Sequence, residues 1–432
     1  MIKVIEVREQ ATNSLLNQED TDAVISCIED EEIAISVKRG KNDENCLTLN
    51  MNGNELCVNT SYFVGVDWLK NGEIAVRVNP KMNSGFEIDY VKMLNNALCE
   101  TDNYNCLDDL VTIEFNKQPI PISQNQDLLS IFLISEYIFI LRKLVRKGLK
   151  RNFYFVEQNI KNKVKGKILV ARNIRQNLGI GRVTNNVCKY QVYDIDSTEN
   201  RILKKALRFC NRQIKIYNHA AIDISVLEKN IRYIYTFFEN VNDTVSTNEI
   251  LTYQGNPLFK DYNEATRLAK LLLKRFSYNI TIAGQLQVST PPFWIDMSKL
   301  FELYVLHQLR QAFPNKGEVI YHPHFHYQEL DYLLKPMHWT EPYVIDAKYK
   351  PWYKDSKGMI KEDAREVAGY ARLSGVYKEL GLNEESTPPI KCLIIYPDQE
   401  CNEHFDISKE LEKVQGYIRM YKTGIRLPVI KN

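Results

Sequence analysis

The hydrophobic pattern of this chain of 432 residues changes twice along its length, and these changes limit its fold more than any single motif does. Up to about residue 80, short β-prone runs are separated by Asn52-Gly53 and Asn71-Gly72, which favour tight hairpin turns. Apolar residues then recur mostly at helical spacing. Pro291-Pro292 interrupts the chain before a last segment in which helical and strand patterns alternate.

These changes predict an α+β multidomain protein with three parts. They are a β-rich N-terminal domain (1–115), a mixed, largely helical middle region with a basic segment (116–288) and a C-terminal domain (289–432). In the middle region we expect helices near 126–148, 198–216, 224–240 and 262–277. In the C-terminal domain we expect a helix at 297–313, strands at 319–327, 330–334 and 342–349, a helix at 361–380 and a strand at 391–396.

Composition and motifs exclude several classes of protein. The net charge of +2 is too small for a protein that coats nucleic acid along its whole surface. No G-x-x-x-x-G-K-[ST] motif occurs, so we do not expect the chain to hydrolyse a nucleotide through a P-loop. We also expect no membrane span, because the most apolar run, 128–141, is short and contains Glu136. Nine scattered cysteines, none in a C-x-x-C pair, favour reduced thiols in the cytoplasm.

The segment YVIDAKYK carries the strongest chemical signal. Asp346 and Lys348 are two residues apart in a β-prone run, and this spacing places both side chains on one face of a strand. Asp331 lies in an earlier strand-like run, and the turn-rich stretch 336–342 can join the two strands side by side. Converging carboxylates repel each other unless a cation neutralises them, and Mg²⁺ prefers oxygen ligands. The three residues therefore predict a site for phosphodiester hydrolysis with a divalent metal ion.

A fourth candidate lies on the predicted helix 297–313. At about 100° per residue, Glu302 falls inside the apolar arc of this helix. A carboxylate that points toward a core needs a partner, and a metal ion or Lys348 would supply one.

This order of residues resembles the PD-(D/E)xK nuclease fold, and within it the McrC family, the nuclease subunit of McrBC-type modification-dependent restriction systems. LFELYVLHQL, the Asp331 strand and VIDAKYK carry the resemblance, together with VKGKIL and TENRILKKAL, over roughly residues 160 to 380. Leu330 departs from the pattern, because a proline usually precedes the first aspartate of the fold. In similar nucleases the helix after the D-x-K strand often carries a glutamine, whereas this helix offers Glu366.

The resemblance implies a restriction-endonuclease-like α/β/α domain at 289–432 that cleaves double-stranded DNA with Mg²⁺ or Mn²⁺. Asp331, Asp346 and Glu302 would hold the metal, and Lys348 would orient the attacking water. It also implies a partner, a hexameric McrB-like AAA+ GTPase that recognises DNA carrying 5-methylcytosine. Residues 1–115 would dock to this partner, and GTP would act only through the partner. Two alternatives remain open: a non-cleaving activator of the NTPase ring, and a nuclease subunit specific for an unmodified sequence.

Two further patterns allow more than one interpretation. His322, His324 and His326 alternate, so one strand face could carry three imidazoles; we favour a packing or DNA-facing role over a transition-metal site. Residues 142–172 hold eleven lysines and arginines and one acid, with aromatic residues among them. This segment could bind DNA, form a solvated surface or contact an acidic partner. The candidate DNA-binding residues are Lys147, Lys150, Arg151, Lys163, Lys165 and Lys167.

Overall fold

A computed structural model describes most of the chain. The described residues are 2–11, 16–28, 32–39, 42–53, 55–83, 88–98, 110–114, 117–123, 128–217, 225–255, 258–280, 287–338, 341–354, 361–385, 387–402, 407 and 411–430. Two of the nine cysteines, at 99 and 106, lie outside these ranges, and the seven described cysteines carry free thiols.

The described elements are numbered in chain order. The strands are β1 (Lys3–Arg8), β2 (Glu32–Arg39), β3 (Asn42–Asn52), β4 (Glu55–Thr60), β5 (Phe63–Lys70), β6 (Ile74–Asn79), β7 (Val111–Ile113), β8 (Ile120–Ser123), β9 (Asn152–Lys161), β10 (Lys167–Ile168), β11 (Asn185–Asp194), β12 (Gln287–Thr290), β13 (Phe293–Asp296), β14 (Val319–Tyr321), β15 (His324–Phe325), β16 (Gln328–Glu329), β17 (Tyr332–Leu334), β18 (Tyr343–Ala347), β19 (Lys391–Pro397), β20 (Glu412–Lys413) and β21 (Met420–Ile425). The helices are α1 (Gln18–Ile25), α2 (Tyr90–Leu98), α3 (Leu128–Lys147), α4 (Val170–Gln176), α5 (Thr198–Tyr217), α6 (Ser225–Phe237), α7 (Thr247–Thr252), α8 (Lys260–Ile280), α9 (Met297–Ala312), α10 (Lys361–Tyr370) and α11 (Ser374–Leu380).

The chain forms two compact units. The first comprises Met1–Leu129, Ala221–Asp223 and Gln285–Asn432, and the second comprises Ser130–Ala220 and Ile224–Gly284. The predicted middle region, 116–288, therefore contains the second unit and a few residues of the first. The two ends of the chain lie together in the first unit.

The N-terminal part of the first unit contains two sheets. One has the strand order β1-β6-β5-β13-β7, and the other is the antiparallel sheet β2-β3-β4. Both predicted hairpin turns form, with Gly53 and Gly72 at positive φ between the paired strands. Val7 and Val78 of the first sheet and Val37 and Leu49 of the second belong to one buried apolar cluster. The two sheets thus share a core.

The C-terminal part of the first unit is built on a mixed sheet with the order β14-β17-β18-β19-β21-β20. Strands β18, β19 and β21 are parallel, whereas β14, β17 and β18 are antiparallel. Leu333 of β17 packs in a buried cluster with Val367 of α10 and Val376 of α11. The hydroxyl of the neighbouring Tyr332 donates a hydrogen bond to the Glu302 carbonyl of α9 at 2.6 Å. Because adjacent strand residues face opposite ways, helices cover both faces of this sheet.

Two predicted elements of this part are wrong in their extent. The predicted strand 319–327 ends at Tyr321, because His322, His326 and Tyr327 have positive φ values that turn the chain. The three alternating histidines therefore do not line one strand face. The predicted helix 361–380 is two helices, α10 and α11, and the second begins at Ser374, where Gly375 approaches the ring of Phe325.

The second unit is largely helical and carries a three-stranded antiparallel sheet with the order β10-β11-β9. The predicted helices correspond to α3, α5, α6 and α8. Helix α5 buries Ile202, Ala206, Leu207 and Cys210 and packs against α6 and α8. This apolar stripe recurs at the spacing of helical turns, which is why the sequence predicts the helix well. Within the described residues, no helix is long and apolar enough to cross a membrane.

Candidate metal centre

Strands β17 and β18 bring Asp331 beside the D-x-K segment. Tyr332 pairs with Ile345 in antiparallel register, so the next position along each strand places Asp331 opposite Asp346. The Asp331 carboxylate accepts a hydrogen bond from the Ala347 backbone N–H at 2.8 Å. The predicted neighbouring strands thus form, and they hold Asp331 against the end of β18.

Helix α9 adds Glu302 to this end of the sheet. Asp296 caps the helix by accepting a hydrogen bond from the Lys299 N–H at 2.9 Å. Glu302 is half-buried, and it contacts Nε2 of His322 in the turn after β14. Ligand atoms of Glu302, His322 and Asp331 all lie within 4.8 Å of one another. The three side chains form a group that can hold one metal ion, and Asp346 lies outside this group.

Lys348 supplies positive charge beside the carboxylates. Its Nζ lies 3.1 Å from Asp346 Oδ2 and 3.1 Å from Glu366 Oε2. Glu366 of α10 also accepts a hydrogen bond from the Tyr370 hydroxyl at 2.7 Å. The position at which similar nucleases often carry a glutamine therefore supplies a second carboxylate partner for the lysine.

Burial and charge shift the pKa values of these groups. Burial raises the pKa of Asp331 well above its ordinary value, and the charges of Asp346 and Glu302 raise it further. Burial also raises the pKa of Asp346 to about 6, although the Lys348 ammonium opposes this shift. For Lys348, burial lowers the pKa, but the charges of Asp346 and Glu366 outweigh it and hold the pKa above its ordinary value. The neighbouring carboxylates therefore favour the protonated form of Lys348, and burial disfavours ionisation of the two aspartates.

The residues present fit a divalent cation. Asp346 is 2% exposed, and its Oδ2 lies 3.1 Å from the Lys348 ammonium, which also pairs with Glu366. Buried carboxylates that share one cation are costly to ionise, and a bound divalent ion would neutralise them. The oxygen-rich set of Asp331, Asp346 and Glu302 suits Mg²⁺ or Mn²⁺.

His322 and Glu329 are the residues at this site that the sequence pattern did not select. The alternation of three histidines was the available signal, but it does not show that one of them faces Glu302. That placement depends on the left-handed backbone of His322, with φ 49°. His324 lies 3.4 Å from Glu329, and His326 lies 3.4 Å from the Ser374 hydroxyl.

The candidate DNA-binding residues lie in the second unit and differ in their surroundings. Lys147 pairs with Asp261, and Lys150 is largely buried with its Nζ 3.2 Å from Glu199. Five of the six have exposed side chains, and they are Lys147, Arg151, Lys163, Lys165 and Lys167. Lys165 also lies over the Tyr190 ring, with Nζ 4.1 Å from the ring centre.

Two solved assemblies contain chains that resemble this one. A half-complex from a tetradecameric assembly of Thermococcus gammatolerans McrB AAA+ hexamers with bound McrC contains a similar chain, with 15% identity and a TM-score of 0.39 over 98% of this chain and 95% of that chain. The cryo-EM structure of the Thermococcus gammatolerans McrBC complex contains another, with 14% identity and a TM-score of 0.31 over 71% of this chain and 87% of that chain.

No curated protein matches the chain. The family model described as McrBC 5-methylcytosine restriction system component matches residues 58–380, which is more than half of the chain. The expected family resemblance is thereby confirmed, and the chain belongs to the McrBC family of restriction system components.

Proposed function

We propose that this protein is the McrC-like nuclease subunit of an McrBC-type restriction system and hydrolyses phosphodiester bonds of double-stranded DNA. The observation that supports this most is the gathering of Glu302, Asp331, Asp346 and Lys348 at one end of the mixed sheet, in a chain of the McrBC family. Residues 289–432 would be a nuclease domain of the PD-(D/E)xK type. The layered sheet with helices on both faces supports this assignment.

The roles of the side chains follow from their charge and position. Asp331 and Asp346 would hold Mg²⁺ or Mn²⁺, and Glu302 would hold a second ion or the water shell of the first. A bound divalent ion supplies an acidic coordinated water and stabilises charge that develops on the phosphate. Lys348, whose ammonium lies beside the carboxylates, orients the attacking water and attracts the phosphate. Glu366 and Asp346 fix the ammonium from two sides.

The proposed partner is an McrB-like AAA+ GTPase ring, acting with this chain in the cytoplasm. It would bind GTP, recognise methylated DNA and receive the N-terminal β-rich domain, residues 1–115. Strand β13 pairs with both β5 and β7, so deleting this domain would also remove both neighbouring strands of β13. A surface change is therefore the cleaner test: Ala34→Arg with Ser36→Arg, on the exposed side of β2, should weaken stimulation of the GTPase. Unchanged stimulation by this variant and by matched changes on β3 would argue against docking through the β2-β3-β4 sheet.

The basic segment of the second unit is the proposed DNA-contacting surface. Arg151, Lys163, Lys165 and Lys167 are exposed, as phosphate contacts require. Lys147 and Lys150 would contribute less, because each already pairs with an acid of the same unit.

The test of the nuclease function is plasmid cleavage by the full chain with the co-encoded NTPase, GTP and Mg²⁺ or Mn²⁺. Methylated and unmethylated plasmids are compared, and GTP turnover is recorded in the same samples. Asp346→Asn should abolish cleavage and keep stimulation of GTP turnover. The matched control is Asp67→Asn, which changes another buried carboxylate paired with a lysine, here Lys117 at 2.9 Å.

Each outcome of this test selects one function. Cleavage of methylated DNA that needs the partner, and that only Asp346→Asn removes, supports the nuclease assignment. Cleavage of unmethylated DNA at a defined sequence would keep the chemistry and change the target. Stimulated GTP turnover without any cleavage by the unaltered chain would favour the activator function and overturn the proposal.

A further inference from the structure

His322 is held in an orientation that suits a metal ligand. Its Nδ1 lies 2.5 Å from Glu329 Oε1, and its Nε2 faces Glu302. A histidine that donates one ring N–H to a carboxylate presents the lone pair of the other nitrogen, and this is the usual arrangement around metal-bound imidazoles. The backbone N–H of His322 also donates to the Asp331 carbonyl at 3.1 Å, which ties the turn to the neighbouring strand.

The imidazole and two carboxylates converge on one position. The ligand atoms of Glu302, His322 and Asp331 lie within 4.8 Å of one another, close enough for a single ion to join them. The other two histidines of the turn have different contacts: His324 lies 3.4 Å from Glu329, and His326 lies 3.4 Å from the Ser374 hydroxyl. The turn therefore directs one of the three alternating histidines into the site.

We infer that His322, oriented by Glu329, is a direct ligand of the metal held by Glu302 and Asp331, and that this site prefers a first-row transition ion such as Mn²⁺ over Mg²⁺. First-row transition ions accept imidazole nitrogen, Mn²⁺ least strongly and Co²⁺ and Zn²⁺ more strongly, whereas Mg²⁺ strongly prefers oxygen. This inference rests on the proposed function only in placing the metal at the nuclease site. It adds an assignment of ligand and metal class that the nuclease function does not require.

The test is metal binding by the full-length protein without DNA or partner. Mn²⁺ binding is followed by the loss of the electron paramagnetic resonance signal of the free ion, and Mg²⁺ binding by competition. Co²⁺ is used as a second probe, because its visible absorption spectrum reports nitrogen coordination. The variant is His322→Asn, since asparagine tolerates the left-handed backbone at this position. The matched control is His326→Asn, which has the same residue type and a similar φ of 47° in the same turn.

We expect the unaltered protein to bind Mn²⁺ at least about tenfold more tightly than Mg²⁺. His322→Asn should lower the Mn²⁺ affinity roughly tenfold or more, change the Co²⁺ spectrum and leave the Mg²⁺ affinity nearly unchanged. Glu329→Gln should lower the Mn²⁺ affinity less, because it acts through His322, and His326→Asn should change nothing. Equal Mn²⁺ affinity and an unchanged Co²⁺ spectrum in His322→Asn would overturn the inference.

This result is independent of the cleavage assay. If His322→Asn leaves metal binding intact while Asp346→Asn loses cleavage, the inference is wrong and the nuclease function stands. If His322→Asn loses Mn²⁺ binding and the unaltered protein cleaves no DNA, the metal site is real and the nuclease function is wrong.

Discussion

At the scale of single residues, Lys348 is the group on which the proposed chemistry depends most. Lys348→Gln removes the ammonium that lies 3.1 Å from Asp346 and from Glu366. We expect DNA cleavage to fall by roughly 100-fold or more, the usual effect of removing one group that stabilises transition-state charge. Single-turnover cleavage measured with saturating partner and GTP is the relevant readout.

The matched control for this prediction is Lys350→Gln. Lys350 lies two residues further on and pairs with Asp363 at 2.6 Å, so the change removes the same charge from the same segment. It should leave cleavage within about threefold of the unaltered protein, a change below 1 kcal/mol in barrier height. Equal losses in both variants would mean that Lys348 acts only by maintaining the local fold.

The residues of the site were predictable to different degrees for a physical reason. Asp346 lies on the short strand β18 with Lys348 directly after its end, and Asp331 directly precedes the neighbouring strand β17, so local spacing was sufficient to group them. Glu302 stood out because a carboxylate interrupts an apolar helix face. His322 did not stand out, because its direction is determined by a backbone turn and not by a repeating pattern.

At the scale of elements, alanine substitutions at Gly65 and Gly369 should have opposite effects on the stability of the protein. A Cβ on Gly65 of β5 would lie 2.0 Å from the carbonyl oxygen of Phe293 in β13, so Gly65→Ala must move one strand. We expect a loss of about 2 kcal/mol or more in stability, as for other overpacked positions. A Cβ on Gly369 in α10 meets no described atom within 4 Å, so Gly369→Ala should stabilise the helix by about 0.5–1 kcal/mol.

Thermal melting of the two glycine variants checks this prediction. Gly65→Ala should lower the melting temperature of the protein, and Gly369→Ala should leave it unchanged or raise it slightly. An unchanged melting temperature in Gly65→Ala would contradict the close approach of β5 and β13.

The strands around Gly65 also show which part of the fold local patterns cannot predict. The hairpins of β3, β4, β5 and β6 were predictable from their turn residues, because each pairing is local. The insertion of β13 between β5 and β7 was not, because it joins residues more than 170 positions apart. The predicted parts 1–115 and 289–432 consequently share a sheet in the first unit.

The lysines between β9 and β10 and at the start of β10 give a further prediction at the same scale, on the salt dependence of DNA binding. Replacing Lys163, Lys165 and Lys167 together by alanine removes three exposed positive charges. If all three contact phosphates, the slope of log binding constant against log salt should become shallower by about 2.7, or 0.9 per contact. Fluorescence anisotropy with duplex DNA at several salt concentrations measures this slope.

A dispersed triple variant is the control for the salt dependence. Lys38, Lys316 and Lys378 are also exposed but lie in the first unit, far apart in sequence. Their replacement by alanine has the same effect on net charge and should leave the slope nearly unchanged. Equal changes in both variants would assign the effect to net charge alone.

At the scale of the first unit, a buried charged contact joins the N-terminal sheets to the segment after Lys348. Glu9 is 2% exposed and accepts a hydrogen bond from the Lys81 backbone N–H at 3.0 Å. The Lys81 Nζ donates to the Tyr349 carbonyl at 2.7 Å and lies 4.0 Å from the centre of the Tyr349 ring. Tyr349 directly follows Lys348, so the N-terminal part supports the backbone that carries the proposed catalytic lysine.

This contact predicts how the stability of the protein depends on pH. Burial raises the pKa of Glu9 to about 7, against the opposing charge of Lys81. Because the folded state binds this proton more tightly than the unfolded chain does, ionised Glu9 destabilises the fold above pH 7, and the penalty disappears as the pH falls toward 4.5. The penalty is at most about 3 kcal/mol for a shift of this size.

Glu9→Gln removes the titrating group, so its melting temperature relative to the unaltered protein should rise between pH 5 and pH 7.5. Glu6→Gln, which removes a carboxylate with a side chain 54% exposed on the same strand, should follow the unaltered protein at both pH values. If Glu9→Gln and the unaltered protein show the same pH dependence, Glu9 is not held protonated, and the contact with Tyr349 places no pH limit on the segment that carries Lys348.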